Sequence, residues 1–394
     1  MFNETMLQMG QEPSVIRELF AYGVARKAEI GADKVFDFSI GNPSVPAPAS
    51  VGQALIDLAQ QPAAQVHAYT QSAGDPAVRN VVAENLNQRF GTNYAGANIY
   101  MTCGAAASLS ISLKAVLEGE EEVIVVAPFF PEYRTWIETH GAKLVAVPAR
   151  ESDFQIDLDA MEAAITPRTK AVIINSPNNP VGVVYTRETL EGLAALLNAK
   201  QAEYGTTIFL ISDEPYRELV YGGVEVPWVP AIYANTIVCY SWSKSLSLPG
   251  ERVGYILVPN TLDRWEEVFF AVSGAGRALG FVCAPAIFQQ VIARCIGEPA
   301  DLAAYERNRE LLTGMLDELG YEYIQPQGAF YLWMRALEPN AKAFSEQAKK
   351  HELLIVASDS FGVEGWVRLG YCIAPETITN SRDAFAALKA DYNQ

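Results

Sequence analysis

Thr236-Ile237-Val238-Cys239-Tyr240, continued by Ser241-Trp242-Ser243-Lys244-Ser245-Leu246-Ser247-Leu248-Pro249-Gly250-Glu251-Arg252, is the stretch on which the reading of this chain turns. The first five residues are a largely apolar run rich in β-branched side chains and predict a strand. A lysine follows the strand end, with hydroxyls three and one residues before it and an arginine eight residues after it. A lysine held there, away from bulk water, loses its proton more readily than a surface lysine, because burial penalises the ammonium. A neutral amine condenses with an aldehyde to a Schiff base. A surface loop carrying one lysine among several serines has the same local composition, so the residues around the stretch must decide.

Outward from it, six more β-rich runs recur: Ile99–Thr102, Val123–Ala127, Leu144–Val147, Ala171–Asn175, Thr207–Ser212 and Tyr255–Val258. Helical patterns fill several of the gaps, Leu190–Tyr204 being the plainest. Such alternation predicts an α/β domain on a largely parallel sheet. Near-continuous apolar runs such as Val172-Ile173-Ile174 suit strands covered on both faces. Before this region, the spacing predicts a helix over 14–30, with Ser14 as its N-cap and Gly23 a weak point in its second half. A short alternating run, Phe36–Ile40, is broken by Gly41-Asn42-Pro43, and Pro46-Ala47-Pro48 reads as a connector. Helices are expected over 51–58 and 77–90. After the sheet, 284–319 reads as helix with a break near Gly297-Glu298-Pro299. β-rich runs at Tyr331–Met334, Leu353–Val356 and Trp366–Leu369, with helices at 341–351 and 378–391, predict a smaller α+β unit. We divide the chain into an N-terminal arm that shares in the small domain (1–44), a large domain (45–285) and a small C-terminal domain (286–394).

Composition narrows the function. Half of the 394 residues are hydrophobic and 19% are charged, an ordinary globular balance. The net charge of −17 disfavours nucleic acid and anionic membranes as partners. Cys103, Cys239, Cys283, Cys295 and Cys372 include no C-x-x-C pair and fit small buried hydrophobes in a reducing compartment. His67, His140 and His351 lie far apart, so no zinc site is expected. No run reaches the roughly 18 apolar residues of a membrane span, and residues 1–13 lack a signal-peptide core. The expected location is the cytoplasm.

Ligands of open α/β sheets gather at the carboxyl ends of the strands, and several chemically pointed residues fall there. The aldehyde cofactor with a phosphate tail is pyridoxal phosphate; Ser241, Ser243 and Arg252 are placed to hold such a phosphate. Thr102-Cys103-Gly104-Ala105-Ala106-Ala107 links a strand to a helix through small residues, which suits phosphate on bare helix N–H groups, or simply tight packing. Asp213 ends an apolar run; it is either an N-cap or the partner of a protonated ring nitrogen. Tyr216 could hydrogen-bond a ring oxygen; Asn179 could donate to the same oxygen or simply belong to a turn-rich loop. Phe130 is either a ring-stacking face or core. Arg368 interrupts the apolar run Trp366-Val367-Arg368-Leu369, and a buried arginine needs an anion, from a structural salt bridge or from a substrate carboxylate.

Taken together, Gly41, Tyr69 with Gly74 and Arg79, Gly104-Ala105-Ala106, Phe130, Asn179-Pro180-x-Gly182, Asp213-x-x-Tyr216, Ser241-x-Ser243-Lys244 with Arg252, Gly328-Ala329-Phe330-Tyr331 and Arg368 resemble fold-type I pyridoxal-phosphate aminotransferases, the class I/II aspartate-aminotransferase-like family. The resemblance spans nearly the whole chain. It implies the fold of that family, a mostly parallel seven-stranded sheet in the large domain, and pyridoxal 5'-phosphate as cofactor. Lys244 would be the Schiff-base lysine and the base that moves the Cα proton. Asp213 would pair the pyridine nitrogen, Tyr216 and Asn179 the ring oxygen, and Phe130 would stack on the ring. Ser241, Ser243, Arg252 and the amides of Gly104, Ala105 and Ala106 would bind phosphate. Tyr69 would reach the neighbouring subunit's phosphate, implying a homodimer with shared active sites. Arg368 would clamp the substrate α-carboxylate beside Gly41, with Asn179 near. The loop between Lys244 and Arg252 and the residue Ala107 depart from the pattern. The expected activity is ping-pong amino transfer between an L-amino acid, possibly aspartate, and a 2-oxo acid. The alternative is a C–S β-lyase or another eliminating enzyme on the same fold. Were the substrate a dicarboxylate, Arg277 and Arg17 are the candidates for its second carboxylate.

Overall fold

The computed structural model describes residues 2–11, 14–298 and 301–393. Its centre is a seven-stranded sheet built from β1 (Ile99–Thr102), β2 (Glu122–Ala127), β3 (Lys143–Pro148), β4 (Thr169–Asn175), β5 (Phe209–Asp213), β6 (Thr236–Ser241) and β7 (Gly254–Leu257), in the order β1-β7-β6-β5-β4-β2-β3. β7 runs antiparallel to both its neighbours, and the remaining pairings are parallel. All seven expected strands are present, each within two residues of its expected ends.

The sequence reason is visible in the packing. Along β2, Val123, Val125 and Ala127 enter one core cluster, while Ile124 and Val126 enter another on the opposite face. β4 divides likewise, Ala171 and Ile173 against Val172 and Ile174. A strand covered on both faces has no polar side, so it reads as an unbroken apolar run. The helices Ala105–Val116 and Trp265–Ala278 cover the first face, and Leu158–Ala164 and Arg187–Tyr204 the second.

The smaller sheet pairs β8 (Tyr331–Arg335) antiparallel with β9 (Trp366–Gly370), flanked by the two-residue strands Tyr323–Ile324 and Val356–Ala357. Phe36–Asp37 pairs in parallel with Leu353–Leu354 as a separate two-stranded sheet, which joins the N-terminal segment to the small domain. Gly370 N donates to the Phe38 carbonyl at 2.7 Å, which lays residues 38–42 along β9.

Some expectations shift. The run 353–356 is split, because Leu353–Leu354 and Val356–Ala357 serve different sheets. The 284–319 pattern is two helices, Ala286–Cys295 and Leu302–Leu319, and Pro299 lies outside the described residues. The 378–391 helix starts earlier, as Pro375–Asn380 and then Arg382–Asp391. Helix Val15–Ile30 runs through Gly23, and Ser14 makes no side-chain capping bond. Gly23 is there for space: a Cβ would sit 2.8 Å from Leu354 Cδ1 and 3.0 Å from Asp37 Oδ2. Short helices Glu4–Gln11 and Glu132–Thr139 were not foreseen from the sequence.

Candidate active site

The carboxyl ends of β4, β5 and β6 open into a cavity of about 580 Å³, closed from the other side by residues 40–42, Tyr331 and Arg368. Ser241 ends β6 and caps a single helical turn, Trp242–Ser245, its Oγ accepting from Ser243 N at 3.2 Å. That turn lifts Lys244 into the cavity. Its Nζ donates to the Gly41 carbonyl at 2.6 Å and lies 5.2 Å from the centre of the Phe330 ring. Burial pulls the amine down to about 8 from the ordinary lysine value; Cys372 opposes this, and the positive Arg252 and Arg368 add to it. Such an amine is partly neutral near neutrality.

Asp213 ends β5, 5% exposed. Tyr133 donates to its Oδ2 at 2.5 Å, and the Asn175 amide donates to its carbonyl at 2.9 Å. Its Oδ1 is buried without a hydrogen-bond partner among the described residues. Burial pushes its carboxyl up to about 7, against the Tyr133 hydrogen bond, with Glu214 adding to the rise. A half-satisfied buried carboxylate at a strand end is costly unless a donor meets it.

Arg368 is 1% exposed. Val367 and Leu369 face the small-domain core, and alternation along β9 sends Arg368 the other way, opposite Trp333 in register. Its guanidinium donates to the Asn179 side-chain oxygen at 3.1 Å and to the Ser39 carbonyl at 2.6 Å, and stands 4.5 Å from the Tyr331 ring centre. Nε is left without a partner, and among the described residues no carboxylate pairs with Arg368. The Asn179 side-chain oxygen is thus occupied, which leaves its amide N–H groups for the cavity. Tyr216 meets Tyr331 hydroxyl to hydroxyl at 3.2 Å.

A third group surrounds the start of helix Ala105–Val116, where no side chain caps the free N–H groups. Gly104 has φ +88°, and a Cβ on it would lie 2.6 Å from the Arg252 guanidinium. The positive φ favours glycine here, and the missing side chain lets the Arg252 guanidinium come close. Ser241 and Ser243 join the cluster, their hydroxyls 2.6 Å apart. Bare amides, a guanidinium and two hydroxyls form an anion cradle. Phe130 and Trp136 line the cavity side, their rings 6.1 Å apart.

Thus Lys244, Asp213, Tyr216, Asn179, Phe130, Ser241, Ser243, Arg252, Ala105, Ala106, Gly41 and Arg368 all border one cavity, with Gly104 beside Arg252. Tyr69 does not: it is 96% exposed on the chain's surface. Arg277 also lies away from the cavity, whereas Arg17 lines it. Tyr133, Asn175, Trp136, Ser39 and Tyr331 as a site residue were not singled out from the sequence. Tyr133 had a signal, since Pro131 and Glu132 mark a helix start. A pyridinium N–H fits the free Asp213 oxygen, and a phosphate fits the cradle at Gly104, so the residues present suit pyridoxal phosphate. Among the described residues, no cluster of His, Cys, Asp or Glu could hold a metal, and no helix is long and apolar enough to cross a membrane.

Residues 33–385 match the family model described as aminotransferase class I and II. A crystal structure of an amino transferase from Eubacterium rectale superposes with TM-score 0.98 at 50% identity, covering 100% of this chain and 99% of that one. Aromatic-amino-acid aminotransferase 2 of Thermococcus litoralis is 28% identical over 388 residues, 94% of each chain. The aspartate/prephenate aminotransferase of Thermus thermophilus is 30% identical over 329 residues, 81% of this chain and 82% of that one.

Proposed function

The chain belongs to the class I and II aminotransferases, and on that premise we propose how its own residues divide the work of moving an amino group between an amino acid and a 2-oxo acid. When bound, pyridoxal phosphate supplies an aldehyde that accepts the amino group and a ring that stores the electrons of the broken Cα–H bond. Lys244 would hold the cofactor through its amine, and the same amine would take the Cα proton and return it on the other side of the transfer. An amine near 8 suits both tasks at neutral pH. Asp213, oriented by Tyr133, would keep the ring nitrogen protonated. Tyr216 and Asn179 would donate to the ring oxygen, and Phe130 would lie against the ring. Ser241, Ser243, Arg252 and the amides of 104–106 would hold the phosphate. Arg368 takes the α-carboxylate and orients Cα–H toward Lys244.

The observation that carries this division is the pair of incomplete buried charges, Asp213 with one free oxygen and Arg368 with one free nitrogen, on either side of Lys244. Half-reactions test it. An amino acid alone should bleach the lysine-bound cofactor and release one equivalent of 2-oxo acid without ammonia; ammonia release would favour elimination instead. Arg368→Ala should raise KM for donor and acceptor alike by about 100-fold, the scale of a lost bidentate carboxylate clamp. An unchanged KM would remove Arg368 from this role.

We also infer a homodimer. Tyr69 stands beside segment 281–283, where Cys283 Sγ donates to the Thr70 carbonyl at 3.3 Å. In that segment Phe281 and Val282 are exposed at 37% and 39%. Exposed apolar side chains of this kind suit an interface, across which Tyr69 would reach the partner's phosphate. Equilibrium sedimentation at the mass of one chain would contradict it. The unit formed by 286–394 with the arm 1–44, packed over 45–285, and a cytoplasmic location suited to five free cysteines, complete the proposal.

A further inference from the structure

The charged residues lining the cavity are Arg17, Lys244, Arg252 and Arg368 on the positive side and Asp213 on the negative. On the division of labour proposed above, phosphate neutralises Arg252, the ring nitrogen meets Asp213, the aldehyde takes Lys244 and the α-carboxylate takes Arg368. One cation is left over.

Arg17 is that cation. It sits in the first turn of helix Val15–Ile30, and its side chain has no acidic partner among the described residues. The helix is held firmly. Lys27 pairs with Asp37 at 2.8 Å and Arg26 with Glu352 at 2.5 Å. Leu19 is 4% exposed, and Gly23 packs against Leu354. Arg17 and Ile16 are therefore presented to the cavity mouth by a fixed element. In a chain of net charge −17, such a local excess of cations draws dianions to one place.

We propose that Arg17 binds the side-chain carboxylate of the substrate, so that dicarboxylic amino acids and their 2-oxo acids are the preferred pair. This rests on the cavity being the transamination site. Arg277, on helix Trp265–Ala278, is exposed and outside the cavity and does not share this role within one chain.

The test compares wild-type holoenzyme with Arg17→Met, which keeps the stem, and Arg17→Lys, which keeps the charge. Read out is the ratio of kcat/KM for L-aspartate and L-glutamate to that for L-alanine and L-phenylalanine. The wild-type ratio should favour the acidic donors. It should fall by about 10- to 50-fold in Arg17→Met, through KM, and fall less in Arg17→Lys. Equal melting temperatures exclude misfolding as the cause. A wild-type preference for neutral donors, or a ratio unchanged in Arg17→Met, overturns the assignment while leaving the transaminase reading intact. Wild-type holoenzyme inactive with every donor overturns that reading, and this assignment with it.

Discussion

Lys244→Ala is expected to lower transamination by about 10⁴-fold or more, to abolish the visible absorbance of lysine-bound cofactor, and to leave the fold in place. The loss is large because one amine serves as both attachment point and proton carrier. The fold survives because the side chain contributes little to stability. It makes one hydrogen bond, to the Gly41 carbonyl, and its charge is a burden in the cofactor-free chain. The sign follows from the shift. The folded amine, near 8, lies below its ordinary 10.5. Between those values the unfolded chain holds the proton and the folded chain does not. Stability from this group therefore rises across that window, and its cost, on the order of a few kcal/mol, is full below it. At pH 7 the cofactor-free variant should melt no lower than its parent. A melting temperature well below the parent's would assign Lys244 a structural role.

Asp213→Asn is expected to reduce kcat by about 10³-fold and to weaken cofactor retention. The amide keeps the shape and the Tyr133 contact but cannot hold a proton on the ring nitrogen, so the ring no longer draws electrons from Cα. The same substitution should stabilise the cofactor-free chain at pH 8. Burial raises the Asp213 carboxyl from about 4 to about 7. Below the lower value both states are protonated. Through the window the unfolded chain ionises first, so the penalty grows with pH and is complete above 7. Asparagine carries no such penalty. A variant less stable than wild type at pH 8 without cofactor, or one with unimpaired kcat, would contradict the assignment of Asp213 to the ring nitrogen. Together the two variants describe a site whose buried charges destabilise the empty fold and are satisfied by the molecule they bind.

Much of this was legible in the residues, for physical reasons. Strands buried on both faces write themselves as apolar runs, and so β2, β4 and β6 stand out. The chemistry stands out because Asp213 at the end of β5, Lys244 just past β6 and Arg368 within β9 are charges where none is tolerated without a partner. What was not legible depends on the backbone or on distance along the chain. Gly41 was expected to line the pocket, but its carbonyl as the acceptor for Lys244 leaves no mark in sequence, since every residue has one. Tyr133 lies 80 positions from the Asp213 oxygen it serves, and the helix start at Pro131 and Glu132 says nothing of that partner. Tyr331 looked like part of a Gly-Ala-Phe-Tyr motif, and only the folded chain shows its ring beside the Arg368 guanidinium and its hydroxyl beside Tyr216. Tyr69 is exposed and does not line the cavity of its own chain, so its role in the proposed dimer cannot be read from one polypeptide.

The most direct test of the account is borohydride reduction of the holoprotein followed by peptide mass spectrometry. The reduced pyridoxyl phosphate should be found on Lys244 and on no other lysine, with the yellow colour lost as the adduct forms. An unlabelled Lys244 in protein that has taken up the cofactor, or a label on a different lysine, would contradict it.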